Sequence, residues 1–132
     1  MTPMTVTSIA SAHVYPVLPA EDLTRARSFY HDTLGFEVHD MPETHQFMIR
    51  AGEGTGLVVY ETGHTKAEHT VATLVVDDLV ATMSELSSRG VKFEEYDLPN
   101  VKTVNGVADL GDEKSAWFTD SEGNIISLAH MN

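Results

Sequence analysis

The sequence predicts an α+β domain assembled from two copies of one β-α-β-β-β unit. Three observations predict it: an internal repeat at an offset of 56 residues, a helical stretch at the same place in each half, and strand-like runs after it. In the repeat, Ala20-Glu21-Asp22-Leu23 lies over Val76-Asp77-Asp78-Leu79. Upstream, His13 meets His69, Val17 meets Thr73 and Leu18 meets Leu74. Downstream, Leu34-Gly35-Phe36 meets Arg89-Gly90-Val91 after a one-residue slip. An ordered series of matches at one offset is the sequence mark of duplication.

The elements follow in chain order. Residues 13–19 and 69–76 are short and rich in β-branched or aromatic side chains, as strands are. Pro16 and Pro19 push the first toward a sheet edge, because proline cannot donate to a ladder. Asp22 and Asp78 suit the N-cap, where a short carboxylate accepts the orphan amides of the first turn. Leu23, Ala26, Tyr30 and Leu34, and likewise Leu79, Met83 and Leu86, recur at helical spacing. Gly35 and Gly90 suit the left-handed position that ends a helix. Strands are then expected over 36–41, 45–50 and 56–61 in the first half. In the second half they are expected over 91–97, 107–110, 115–119 and 124–130.

Residues 120–124 carry turn chemistry, with Gly123 free to take positive φ. Residues 62–68 are polar and link the modules, which are expected over 12–62 and 68–132 after a flexible tail over 1–11. Residues 98–105 form the long irregular stretch, and such loops are often functional.

Composition narrows the function. A chain of 132 residues fits one domain with a core of its own. There is no cysteine, which excludes disulfides, thiolate metal sites and cysteine nucleophiles and is compatible with a cytoplasmic protein. Twenty acidic residues against 8 basic ones give a net charge of −12, so the sequence argues against a nucleic-acid partner, which needs clustered Lys and Arg. No apolar run approaches a membrane span, and the first residues lack the basic and apolar regions of a secretion signal, so no membrane partner is expected. There is no P-loop, dinucleotide fingerprint, G-x-S-x-G or H-E-x-x-H.

The stretch Val17-Leu18-Pro19-Ala20-Glu21-Asp22-Leu23, then Ser28-Phe29-Tyr30 and Leu34-Gly35-Phe36, resembles the opening of the vicinal oxygen chelate superfamily. This superfamily holds glyoxalase I, extradiol dioxygenases and bleomycin-resistance proteins. The run Trp117-Phe118-Thr119-Asp120-Ser121-Glu122-Gly123-Asn124-Ile125-Ile126-Ser127-Leu128 resembles its closing hairpin, and Glu94-Glu95-Tyr96-Asp97-Leu98-Pro99 through Lys114 and Trp117 resembles a glyoxalase-like subgroup. The resemblance covers roughly residues 13–130. It implies two modules curled into an open, U-shaped cleft for a small molecule, and frequent homodimers.

Metal-dependent members hold a divalent ion with His, Gln or Glu on the first and last strands of each module. The resemblance places those positions at Tyr15 and Val71, at Ser127, and at Tyr60, or Glu61 with a one-residue shift. Valine cannot bind a metal, neutral serine is a poor ligand, and a tyrosine must first lose a proton with a pKa of about 10. No cofactor is therefore predicted. The alternative is a Zn, Ni, Mn or Fe ion displaced onto His13, His69 and Glu61 or His130, or else those histidines are solvated strand starts.

Tyr15, Tyr60 and Trp117 are candidate cleft walls or core residues, and Ser127 a candidate ligand contact. Glu95 and Tyr96 are candidates for polar contacts or acid–base work, or a solvated edge. Lys102 and Lys114 could pair an anion or simply lie on the surface, where His31, His39 and His45 are also expected. The leading reading is a small-molecule binder without the standard metal. The alternatives are a glyoxalase-type lyase or isomerase with altered ligands, and a dimeric module with a vestigial cleft.

Overall fold

A computed structural model describes residues 9–63 and 66–132; most of the expected tail, residues 1–8, lies outside them. Residues 9–11 form a short 3-10 turn. The first module runs β1 (Val17–Ala20), α1 (Leu23–Ser28), β2 (Glu37–Met41), β3 (Gln46–Arg50) and β4 (Gly56–Glu61). The second runs β5 (Thr70–Val75), α2 (Leu79–Ser88), β6 (Ala108–Asp109), β7 (Glu113–Thr119) and β8 (Ile125–Met131).

Each module is one four-stranded mixed sheet, in the orders β1-β4-β3-β2 and β5-β8-β7-β6. The first and last strands of each module pair in parallel, Val17 opposite Val58 in one sheet and Thr73 opposite Ser127 in the other. Because Thr73 is the repeat mate of Val17, the counterpart of Ser127 is Val58. Tyr60, expected in that place, sits two residues further along the same face, where it pairs with Pro19.

The helices begin where the caps predict. The Arg25 amide donates to the Asp22 carboxylate and the Ala81 amide to that of Asp78, each at 3.0 Å. Gly35 and Gly90 both take positive φ. The one-residue slip has a local cause. After α1 the chain makes a π turn over Phe29–Thr33, which holds an extra residue. The Phe36 amide reaches back to the Tyr30 carbonyl, and the Val91 amide to that of Leu86, so the insertion lies between Tyr30 and Phe36.

One expected strand does not form as a unit. Over 91–97, only Phe93 bridges β7, opposite Phe118. The chain then leaves the sheet and returns as the two-residue β6, which pairs further along the same strand, Ala108 opposite Ser115. The edge strand of the second sheet is thus split by an excursion carrying Glu95 and Tyr96. Residues 94–107 hold themselves together by bridges Asp97–Lys102 and Val104–Val107.

One face of each sheet is buried with the helices in a single core that includes Leu18, Tyr30, Phe47, Leu86, Phe118 and Leu128. The opposite faces are only partly open: Val17 is 59%, Tyr60 39% and Val75 66% exposed, whereas Ser127, at 4%, is buried. Among the described residues, neither β1 nor β5 has a strand partner on its outer edge. No helix among the described residues is long and apolar enough to cross a membrane.

Candidate ligand-binding site

The open face of the second sheet gathers the most chemistry. Pairing puts Trp117 of β7 directly opposite Ser127 of β8, and Ser127 opposite Thr73 of β5, so three side chains line up across the sheet. The Thr73 and Ser127 hydroxyls lie 2.6 Å apart and share a hydrogen bond. One of the two keeps its own proton to offer elsewhere. The Trp117 indole N–H donates to the Thr70 hydroxyl at 3.2 Å, which fixes the ring. Tyr96 meets Trp117 edge to face, with centroids 5.6 Å apart and planes at 80°.

Tyr96 is held by the excursion from the edge strand. Its amide donates to the Thr103 hydroxyl at 2.8 Å, and the Thr103 amide donates back to its carbonyl at 2.9 Å. Burial, then the charge of Glu94, push the Tyr96 phenol up from its ordinary value. It therefore stays protonated near neutrality. Glu95, next in the chain, is exposed.

The remaining candidates scatter. Tyr60 lies on the open face of the first sheet, opposite Gln46 and Pro19. Tyr15 precedes β1 and packs edge-on against His13 at 6.5 Å. His13, His69 and Glu61 are exposed, as are Lys102, Lys114, His31, His39 and His45. His130 Nδ1 lies 3.3 Å from the Val76 carbonyl. Among the described residues, no three His, Asp or Glu side chains stand together as a group that could hold a metal. The positions that the resemblance assigns to ligands carry a valine, a serine hydroxyl already bonded to Thr73, and two phenols, with Val58 as the true counterpart of Ser127. That donor set does not fit a hard divalent ion, which needs carboxylates and imidazoles.

Sequence reading missed Thr70 and Thr73. Thr73 had a signal, a hydroxyl residue where its repeat mate Val17 is apolar. Thr70 had none, because only the sheet brings it to Trp117.

The sequence profile of the Glyoxalase/Bleomycin resistance protein/Dioxygenase superfamily matches residues 11–128. The chain belongs to that superfamily. Solved members share its fold. TnmS3, an antibiotic binding protein from Streptomyces sp. CB03234, is similar at 25% identity and a TM-score of 0.68, covering 95% of this chain and 100% of that one. A glyoxalase/bleomycin resistance protein from Catenulispora acidiphila is similar at 27% identity and a TM-score of 0.64, covering 92% and 100%. The fosfomycin resistance protein FosX from Listeria monocytogenes shares the fold at 14% identity and a TM-score of 0.67, covering 92% and 94%. No curated protein matches the chain. Two modules, each with a helix behind a curved sheet, are thus the superfamily architecture, and the row from Trp117 to Thr73 lies on the open face of the second.

Proposed function

We propose that this superfamily member binds a small organic molecule against the open face of its second sheet, using contacts from side chains and no metal. The observation that carries this reading is the Thr73–Ser127 hydroxyl pair beside the Trp117–Tyr96 corner. A ring-bearing ligand would lie against Trp117 and Tyr96, while Thr73, Ser127 and the Tyr96 phenol direct its polar groups, as in most small-molecule pockets. Tyr15, Tyr60 and Glu95 are further contacts in this reading. The likeness to an antibiotic binding protein at 25% identity supports a drug-like ligand class.

The bare edge of β1, with Val17 exposed, supports a homodimer whose second copy covers it and completes the cleft. We place the protein in the cytoplasm, with which a chain free of cysteine is compatible.

Trp117 is the sole tryptophan, so its fluorescence reports on the site directly. A thermal-shift screen of polycyclic and peptide antibiotics should yield a stabilising compound that also shifts or quenches this emission. The Ser127→Val variant should weaken that compound about tenfold, the cost of one lost hydrogen bond to a polar group. Stoichiometric divalent metal in protein purified without chelator, with turnover of an α-hydroxycarbonyl adduct, would instead favour a glyoxalase-type enzyme.

A further inference from the structure

The duplication gives the molecule two equivalent seams, each where one module's helix meets the other module's last hairpin turn. The turns correspond residue by residue in length and position, with one difference of backbone: Glu53 takes positive φ and Glu122 does not. Residues 51–55 join β3 to β4 between the pair Arg50–Gly56, and 120–124 join β7 to β8 between the pair Thr119–Ile125. In each, the first amide donates to the fifth carbonyl at 2.9 Å, and the fourth residue is a glycine at positive φ. Glu53 therefore corresponds to Glu122, Ala51 to Asp120 and Thr55 to Asn124.

The seam at 120–124 is closed by α1. Arg25 Nε and Nη2 donate to the two Glu122 carboxylate oxygens at 2.7 and 3.0 Å, and the Tyr30 hydroxyl donates to Asp120 at 2.6 Å. At the seam at 51–55, α2 carries Ala81 in place of Arg25 and Leu86 in place of Tyr30. Glu53 is retained while its arginine is gone. Asp77 also remains where Glu21 stands beside Arg25. Every substitution removes volume, and the seam is a groove of about 810 Å³, its lining including Leu34, Phe36 and Leu86 with Glu53, Asp77 and Glu85.

One cation borders the groove, Arg89, and its guanidinium is engaged by Glu85 at 2.6 Å and by the Thr33 carbonyl at 3.1 Å. Among the described residues, no Lys or Arg pairs with Glu53 or Asp77. The volume lies within the range of ligand pockets, about 300–1,000 Å³.

We propose that this open seam is a second binding site, for a small organic cation with an apolar body. Its charged head takes the place that the Arg25 guanidinium fills on the closed seam, against Glu53 and Asp77. Its body lies on Leu34, Phe36 and Leu86. The groove touches the first site through Thr73 of β5 and Leu128 of β8, but Glu53, Asp77, Leu34, Phe36 and Leu86 are not among that site's contacts, so the proposal stands whether or not that site binds a ligand.

The test is titration of the full chain with benzamidine, an aromatic ring bearing an amidinium, followed by amide chemical shifts. Saturable shifts are expected over 51–55, 73–77 and 82–89. Neutral benzamide of the same shape should bind at least about tenfold more weakly, the order expected for a lost hydrogen bond to a charged group. Glu53→Gln should weaken benzamidine by a similar factor. Ala81→Arg should abolish binding by supplying the missing guanidinium from within, while leaving the spectrum away from the groove unchanged. Shifts that map elsewhere, equal binding of benzamide, or wild-type affinity in both variants would overturn the proposal.

Discussion

The two seams are built on the same five-residue turn and end in opposite states. At one, Asp120 takes bonds from the Tyr30 hydroxyl, the Glu122 and Asn124 amides and the Asn124 side chain, at 2.6 to 2.9 Å, while Glu122 grips Arg25 and the Asp22 amide. At the other, Ala51, Glu53 and Thr55 face Leu86 across a groove. Duplication supplies each structural task twice. One copy can hold the modules together while the other gives up its side chains. Both turns keep the same length and closing hydrogen bond, but Glu53 takes positive φ where Glu122 does not, so the seams differ in local backbone as well as in what the side chains fill.

The largest effect should follow from breaking the closed seam at its centre. Asp120→Ala leaves several buried donors without an acceptor and should cost about 3–5 kcal/mol, read as a lower denaturation midpoint at unchanged slope. A loss under about 1 kcal/mol would show that the seam is dispensable.

The next effect depends on pH. Burial alone would raise the Glu122 carboxyl, but hydrogen bonds from Arg25, the Asp22 amide and Ser121, together with the charge of Arg25, bring it down to about 2 from 4.5. Its folded pKa lies below its unfolded value. The stability it adds, about 2–3 kcal/mol, is therefore present above pH 4.5 and lost as pH falls toward 2. Unfolding of wild type and Glu122→Gln should differ most near pH 6 and converge near pH 2. A constant gap across that range would remove the ion pair from the comparison.

Tyr30→Phe comes third. It deletes one charge-assisted hydrogen bond with little change of shape, so a cost of about 1.5–3 kcal/mol is expected. The smallest effect belongs to the open seam. Glu53→Gln, at the position equivalent to Glu122, should change stability by less than about 0.5 kcal/mol, as for a surface site. A larger loss would mean that Glu53 has a structural partner, and the seams would then differ less than their geometry indicates.

Much of this fold is legible because the signals are local. Asp22 and Asp78 cap helices through amides three residues on, and Gly35 and Gly90 end them through their own φ. The repeat doubles each such signal. Misreadings arose where distant pairing decides. Residues 91–97 have strand-like composition, but the only β-bridge they make to β7 is Phe93 opposite Phe118, because the same edge also takes back Ala108 after the excursion. Tyr60 was matched to Ser127 by counting along the chain, whereas the hydrogen-bond register matches Val58.

The candidate site divides in the same way. Trp117 and Ser127 stand in sequence within one recognisable hairpin, so their relation was accessible. Thr73 and Thr70 reach them only through the parallel pairing of β5 with β8, which joins residues more than fifty positions apart.

By itself, the sequence determined the duplicated α+β architecture and the helix boundaries. These depend on residue type and on spacing within a turn or two of chain. Tertiary structure alone decided that Glu122 would find an arginine while Glu53 would not, that Tyr96 would lean on Trp117, and that the Thr73 and Ser127 hydroxyls would meet. Each of those outcomes is a meeting between segments that no local preference encodes, fixed only when both sheets close on one shared core.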